Sequence, residues 1–233
     1  HKSEEDMLCV HPWIRFYNPG VSLHRRRDSV KFKQIPVMGT NCYIFWDENS
    51  NNAVCIDPGF TGRKIAKEIQ KLGLTLTSIF ITHSHTDHVS GLDDMCAELK
   101  DNPVVYMSEA ELIYEEFPFK GRWGNNCSKR FWEENSMVVI DSMKFKVIPM
   151  PGHSPGSVCI TVDEYIISGD LILNTSIGRT DFAGSNVKSM IHSIEKLLQF
   201  PDSMKVLPGH DDTTTIKNIK ERNPYLRRIL RQE

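Results

Sequence analysis

The chain lacks the features that would set it in a membrane or in an oxidising compartment. No apolar run approaches the roughly 18 residues that a spanning helix requires, and the first residues have no apolar core of the kind a secretory signal carries. The cysteines, Cys9, Cys42, Cys55, Cys96, Cys127 and Cys159, are scattered, with no Cys-x-x-Cys pair and no dense disulfide pattern. A reducing cytoplasm is therefore the expected compartment. Charge of one sign is missing too: 28 Lys and Arg stand against 30 Asp and Glu, a formal net charge of −2, which argues against nucleic acid or an anionic membrane as partner. Neither a repeat nor a linker divides the chain. At 233 residues, 39% hydrophobic, it can bury one large core. Residues 1–29 read as a polar N-terminal extension with a turn at Asn18-Pro19-Gly20 and a basic run, Arg25-Arg26-Arg27, that suits a solvated surface or, as the lesser reading, a phosphate. Residues 30–233 read as a single domain.

What is present centres on one stretch. His83, His85, Asp87 and His88 follow directly on the apolar Ile79-Phe80-Ile81. Period-2 alternation puts His83 and His85 on one face as a strand frays, while Asp87 and His88 turn toward a second point. Two metal ions fit that geometry better than one. Imidazole nitrogen and carboxylate oxygen are ligands for zinc, iron or manganese, and no thiolate stands nearby to close a purely structural site. A chance cluster of polar residues after a buried strand would leave costly groups to satisfy.

Around this stretch, alternation predicts strands at residues 30–37, 42–46 and 53–56, an opening antiparallel meander that ends at Asp57-Pro58-Gly59. A helix from Thr61 or Gly62 to Leu72 stops at Gly73, and a strand at 77–81 delivers the histidines. Further on come a helix at 92–100, a strand at 104–107 and a helix starting at Ser108, with Glu111 at the capping-box position. Residues 117–132 have no clear period and form either a flap near the site or a packed surface loop. Strands at 144–148, 165–169 and 205–208 run into loops bearing His153, Asp170 and His210, and a helix spans 187–200. A short helix follows Asn223-Pro224. Strands that end in His or Asp, alternating with amphipathic helices, describe a layered α/β fold with its site along one sheet edge.

The motifs His83-Ser84-His85-Thr86-Asp87-His88, Gly152-His153-Ser154-Pro155-Gly156, Ser168-Gly169-Asp170 and Pro208-Gly209-His210-Asp211 resemble, in order, the metal-ligand motifs of the metallo-β-lactamase superfamily. The resemblance runs from about Lys31 to Asn223 and implies a four-layer αββα sandwich of two mixed sheets with helices outside. Carried over residue by residue, it implies that His83, His85 and His153 bind one divalent metal, that Asp87, His88 and His210 bind a second, and that Asp170 bridges them. Zinc is the expected metal, with iron and manganese as alternatives, and Asp87 and Asp170 are the catalytic carboxylates. The β-lactamase branches carry a Cys ligand or no bridging carboxylate at the Asp170 position, which disfavours antibiotic hydrolysis.

Ser176-Ile177-Gly178-Arg179-Thr180-Asp181-Phe182, with Asn223-Pro224 near the end, resembles the glyoxalase II group, the hydroxyacylglutathione hydrolases, in their short form. Full-length members add a helical domain that helps hold glutathione; a sequence ending at Glu233 leads us to expect few contacts to the thiol carrier, a high KM for S-D-lactoylglutathione and tolerance of other thioesters. Arg179 and Phe182 are the expected substrate-binding residues, although Arg179 could equally be a salt-bridged structural residue. Asp57 either orients a ligand histidine or caps the Pro58-Gly59 turn. A water held between two cations loses its proton near neutral pH and would attack the thioester carbonyl, and a thiolate leaves with little protonic help. Two rivals share the fold: mononuclear iron persulfide dioxygenases, which resemble the Gly178–Phe182 stretch, and phosphodiesterases or ribonucleases, for which no basic, aromatic-interleaved surface is visible.

Overall fold

The computed structural model describes residues 30–113, 127–133 and 136–229. The N-terminal extension and most of segment 117–132 lie outside the described residues. Strands β1 (Val30–Val37), β2 (Thr40–Asp47) and β3 (Asn52–Ile56) make the antiparallel meander. Strands β4 (Thr75–Phe80), β5 (Val104–Met107) and β6 (Ser128–Phe131) continue it in parallel, completing a six-stranded sheet in the order β1-β2-β3-β4-β5-β6. The second sheet also has six strands, β7 (Met137–Ile140), β8 (Met143–Pro149), β9 (Val158–Val162), β10 (Tyr165–Gly169), β11 (Lys205–Pro208) and β12 (Thr214–Thr215), ordered β12-β11-β10-β9-β8-β7.

Alternation along each central strand explains why the sheets stack. In β2, Tyr43 and Phe45 enter one buried cluster while Cys42 and Ile44 enter another; in β3, Val54 and Ile56 part from Ala53 and Cys55 in the same way. The shared cluster lies between the sheets, where Phe45, Phe80 and Phe145 meet edge to face, Phe145 coming from β8. On the outer face of the first sheet, Ile65, Ala66 and Ile69 of α1 (Gly62–Lys71) and Leu92 and Met95 of α3 (Leu92–Leu99) cover the strands. On the outer face of the second sheet, Met190, Ile194 and Leu197 of α4 (Val187–Leu197) do so, with Ile216 and Ile219 of α5 (Ile216–Arg222) and Leu226 of α6 (Pro224–Ile229). The result is the expected αββα sandwich. Strands covered on both faces have to be apolar on both faces, and truncating a central ring such as Phe45 to Ala would cost about 3–5 kcal/mol.

Parallel pairing brings strand ends together. β3, β4 and β5 run in parallel, as do β10 and β11, so their carboxyl ends open on a common edge. Backbone bonds then lace the two sheets across that edge, Val158 N–H donating to Thr82 O at 3.0 Å and Asn41 N–H to Gly209 O at 2.7 Å, while Gly209 N–H donates to Gly169 O at 2.9 Å within the second sheet. Two expectations differ. Residues 128–131, foreseen as part of a flap or surface loop, form strand β6 paired with β5. The helix foreseen at Ser108 is a short 3₁₀ turn, Glu109–Ile113, and Glu111 points inward instead of capping it, because backbone N–H groups buried in two neighbouring loops require an acceptor. Among the described residues no helix is long and apolar enough to cross a membrane.

Candidate metal centre

The loops at this edge bring all seven expected ligand side chains together. His83 and His85 follow β4; Asp87 and His88 lie on the single turn α2 (Thr86–Val89); His153 follows β8; Asp170 and His210 follow β10 and β11 directly. Their atoms form three overlapping groups, His83-His85-His153, His83-His88-Asp170 and Asp87-His88-His210, each with donor atoms within 4.8 Å of one another. Asp170 stands between the outer two. Its Oδ2 lies 3.5 Å from His153 Nε2 and 3.3 Å from His210 Nε2, and its Oδ1 lies 3.3 Å from His88 Nε2.

Three of the rings are aimed by the bond their other nitrogen makes. Carbonyl oxygens only accept, so His153 Nδ1 donates to Arg179 O at 2.8 Å and His210 Nδ1 to Gly39 O at 2.7 Å, leaving Nε2 of both turned into the cluster. His88 Nδ1 meets Asp57 Oδ2 at 3.0 Å. Asp57 is itself fixed by Thr82, whose N–H and hydroxyl donate at 2.8 and 2.7 Å. Asp57 thus touches both the histidine and the strand end that delivers His83, and it adopts φ 51°, a left-handed conformation that the following Pro58-Gly59 turn exploits. Gly209 is required here, because a Cβ would run into Asp170 Oδ1 and His88 Cε1.

Electrostatics divides the cluster. Burial, with the neighbouring rings adding repulsion, pushes His83 well below the usual imidazole range and His85 down to about 4, and burial also lowers His153. Lowered in this way, the rings favour the neutral form, whose lone pair a metal ion accepts. For His88 the cost of burial is outweighed by the Asp170 and Asp57 carboxylates, which hold it well above its usual value. Hydrogen bonds to Asp170 and Asp87 raise His210 to about 10. Asp87, despite partial burial, is drawn down to about 2 by His210 and His88. The carboxylates therefore pull positive charge into the second half of the cluster.

The donor set fits metal ions. Among the described residues His83 Nε2 is buried with no hydrogen-bond partner, and His88 Nε2 and Asp170 Oδ1, 3.3 Å apart, are buried without a hydrogen bond, an expensive arrangement for a protein interior that a shared cation would satisfy. The set is imidazole and carboxylate, without sulfur, a set that zinc, iron and manganese all accept.

Arg179 and Phe182 flank this cluster. The Phe182 ring, 40% exposed, stands edge-on to His85 at 4.9 Å and to His153 at 5.9 Å. The Arg179 guanidinium lies over that ring at 4.4 Å and pairs with Asp181 at 2.7 and 2.9 Å. So Arg179 is both salt-bridged and next to the cluster. Sequence reasoning missed several supporting residues. Thr40 donates to Asp87 Oδ2 at 3.2 Å, and Asn41 and Tyr43 donate to Pro208 O at 3.0 and 2.7 Å, pinning the loop that carries His210. Glu111, 1% exposed, lies against the loops that carry His83, His85 and His153. Nothing in the strand pattern of β2 marks its polar residues as contacts to a loop far along the chain.

Comparison with known proteins agrees with this geometry. The profile of the metallo-β-lactamase superfamily matches residues 35–210. The hydroxyacylglutathione hydrolase GloC of Haemophilus influenzae is 31% identical over 200 residues, 80% of this chain and 92% of that protein. Among solved structures, the BLEG-1 B3 metallo-β-lactamase superposes with a TM-score of 0.76 at 30% identity, covering 84% of this chain and 99% of the other. The structure of ETHE1 from Myxococcus xanthus superposes with a TM-score of 0.69 at 28% identity, covering 83% of each chain. With its two facing sheets, its outer helices and a His/Asp cluster where the strands end, this chain belongs to the metallo-β-lactamase superfamily.

Proposed function

We propose that the chain is a dinuclear metallohydrolase that cleaves small-molecule thioesters of the glyoxalase II type, S-D-lactoylglutathione among them, with zinc as the preferred metal. The observation that carries this reading is the position of Asp170 between the two groups, with Oδ2 near both His153 and His210 and Oδ1 toward His88. A single carboxylate so placed would serve two cations, one that His83, His85 and His153 would hold and another that Asp87, His88 and His210 would hold. When bound, the cations supply the Lewis acidity that lowers the pKa of a water and polarises the acyl oxygen.

The chain's own residues set the rest. Asp87 and Asp170 provide the negative charge without which two neighbouring cations repel. Thr40, donating to Asp87 Oδ2, holds that carboxylate against the second histidine group. The exposed Phe182 face beside His85 and His153 offers an apolar wall to the thiol part of the substrate, and Arg179, half committed to Asp181, adds cationic charge above it. A thiolate needs no dedicated acid on departure, which suits a cluster made of ligands alone. The likeness to GloC supports the glutathione thioester as substrate.

A second reading, oxidation of a persulfide at one iron, draws on the Gly178–Phe182 resemblance and the likeness to the Myxococcus structure. The complete second group, Asp87-His88-His210, favours hydrolysis. Steady-state kinetics of the zinc-loaded protein on S-D-lactoylglutathione, simple alkyl thioesters, a phosphodiester and a β-lactam, beside oxygen uptake by the iron-loaded protein with a persulfide, test the choice. Highest kcat/KM on thioesters is expected; oxygen uptake with no thioester turnover would overturn it.

A further inference from the structure

Glu111 is buried to 1% exposure and accepts four hydrogen bonds, all from the loops that carry the first histidine group. Its Oε2 receives the Ser84 N–H at 2.8 Å and the Ser84 hydroxyl at 2.5 Å; its Oε1 receives the Ser154 hydroxyl at 2.6 Å and the Gly156 N–H at 2.7 Å. Ser84 sits between His83 and His85, and Ser154 follows His153. One carboxylate therefore clamps both loops of the group His83-His85-His153, while the hydrogen bonds it accepts touch neither Asp87, His88 nor His210.

The clamp is built with some care. The Ser154 hydroxyl gives its one proton to Glu111, so the Ser157 hydroxyl at 2.6 Å must donate to Ser154 Oγ, and Ser157 Oγ in turn accepts the Ser154 N–H at 3.1 Å. A Cβ at position 156 would fall 2.7 Å from Glu111 Cγ and Oε1, so only glycine lets the loop approach. Two of the donors are backbone N–H groups in loops that follow a strand end, where no ladder partner is available. The carboxylate comes from a third element, the 3₁₀ turn after β5, and so fixes the separation of two loops that are far apart in sequence.

We propose that Glu111 is a positioning residue for the first metal group: by fixing the distance between the His83-His85 loop and the His153 loop, it sets the affinity and geometry of one metal site and leaves the other untouched. This rests on the two-metal reading above. Groups that orient metal ligands typically carry 10- to 100-fold in metal affinity, and here one side chain orients three ligands through their neighbours.

The test uses full-length protein in four forms, wild type, Glu111→Gln, Ser84→Ala and Ser154→Ala. Zinc affinity is measured by chelator competition, metal equivalents after dialysis against that chelator, the visible spectrum with cobalt, and the melting temperature of the metal-free protein. Glu111→Gln turns one acceptor oxygen into an amide that two donors already face. It should weaken one site by roughly 10- to 100-fold, leave about one equivalent where wild type keeps two, and change the cobalt bands of that site alone. Ser84→Ala and Ser154→Ala, which remove one hydroxyl each, should do the same to a smaller extent, and they carry the test if Glu111→Gln fails to fold. A lower melting temperature with both zinc affinities and the cobalt spectrum unchanged would overturn the proposal, as would equal loss at both sites. Wild type that itself binds only one equivalent would instead refute the two-metal reading.

Discussion

The two histidine groups at the sandwich edge are held and charged in different ways. His83, His85 and His153 are rings lowered chiefly by burial, and one of them is fixed by a backbone carbonyl. His88 and His210 are raised, and carboxylates surround them: Asp57 and Asp170 at His88, Asp87 and Asp170 at His210. On the two-metal reading, the first group would hold a cation chiefly through geometry with Asp170 alone for charge, and the second with Asp87 and Asp57 adding to it. A site that relies on geometry should suffer most from changes in the loops that space its ligands, and a site that relies on charge from the loss of a carboxylate.

The largest expected effect removes the element common to both groups. Asp170→Ala should abolish most turnover and weaken metal at both sites, since nothing then screens one cation from the other; retained activity with full metal content, measured by elemental analysis, would break the comparison at its root. Next come the single ligands. His153→Ala should deplete the first group and His210→Ala the second, each to about one equivalent by the loss of a ligand, whereas exposed His192, outside every motif, should leave metal content unchanged when replaced.

Asp57→Asn sharpens the difference between the groups. It exchanges the acceptor of His88 Nδ1 for an amide and should weaken the second site by roughly 10- to 100-fold and the first, which Asp57 touches only through Thr82, by less, the reverse of the order expected for Glu111→Gln. The smallest effect belongs to Arg179→Ala. Because the guanidinium is exposed and already paired with Asp181, its loss should raise KM for a glutathione thioester only about a few-fold, with kcat nearly unchanged. A variant equally impaired on simple alkyl thioesters would remove Arg179 from substrate binding.

Much of this architecture was legible in the chain itself. The meander, α1, the strand that delivers His83 and the helix over Met190, Ile194 and Leu197 announce themselves because their apolar residues repeat at the period of the element that buries them. The side chains gathered at the strand ends were legible for a chemical reason: His and Asp following apolar strands are costly unless they serve together. Other parts were not. The patterns of β7, β9 and the two-residue β12 do not single them out as strands. Glu111 read as a capping residue because its spacing from Ser108 matches a capping box, and the competing donors on Ser84, Ser154 and Gly156 become visible only when the chain is folded. Asn41 and Tyr43 are polar groups within an apolar strand, and their partner, the carbonyl of Pro208, is more than a hundred residues away.

The most direct test of the central claim is the number of metal ions each chain binds. Protein stripped of metal and titrated with zinc, followed by calorimetry and by elemental analysis after gel filtration, should take up two tight equivalents, and thioester hydrolysis should appear in full only as the second is filled. Saturation at a single equivalent with full activity would contradict the account.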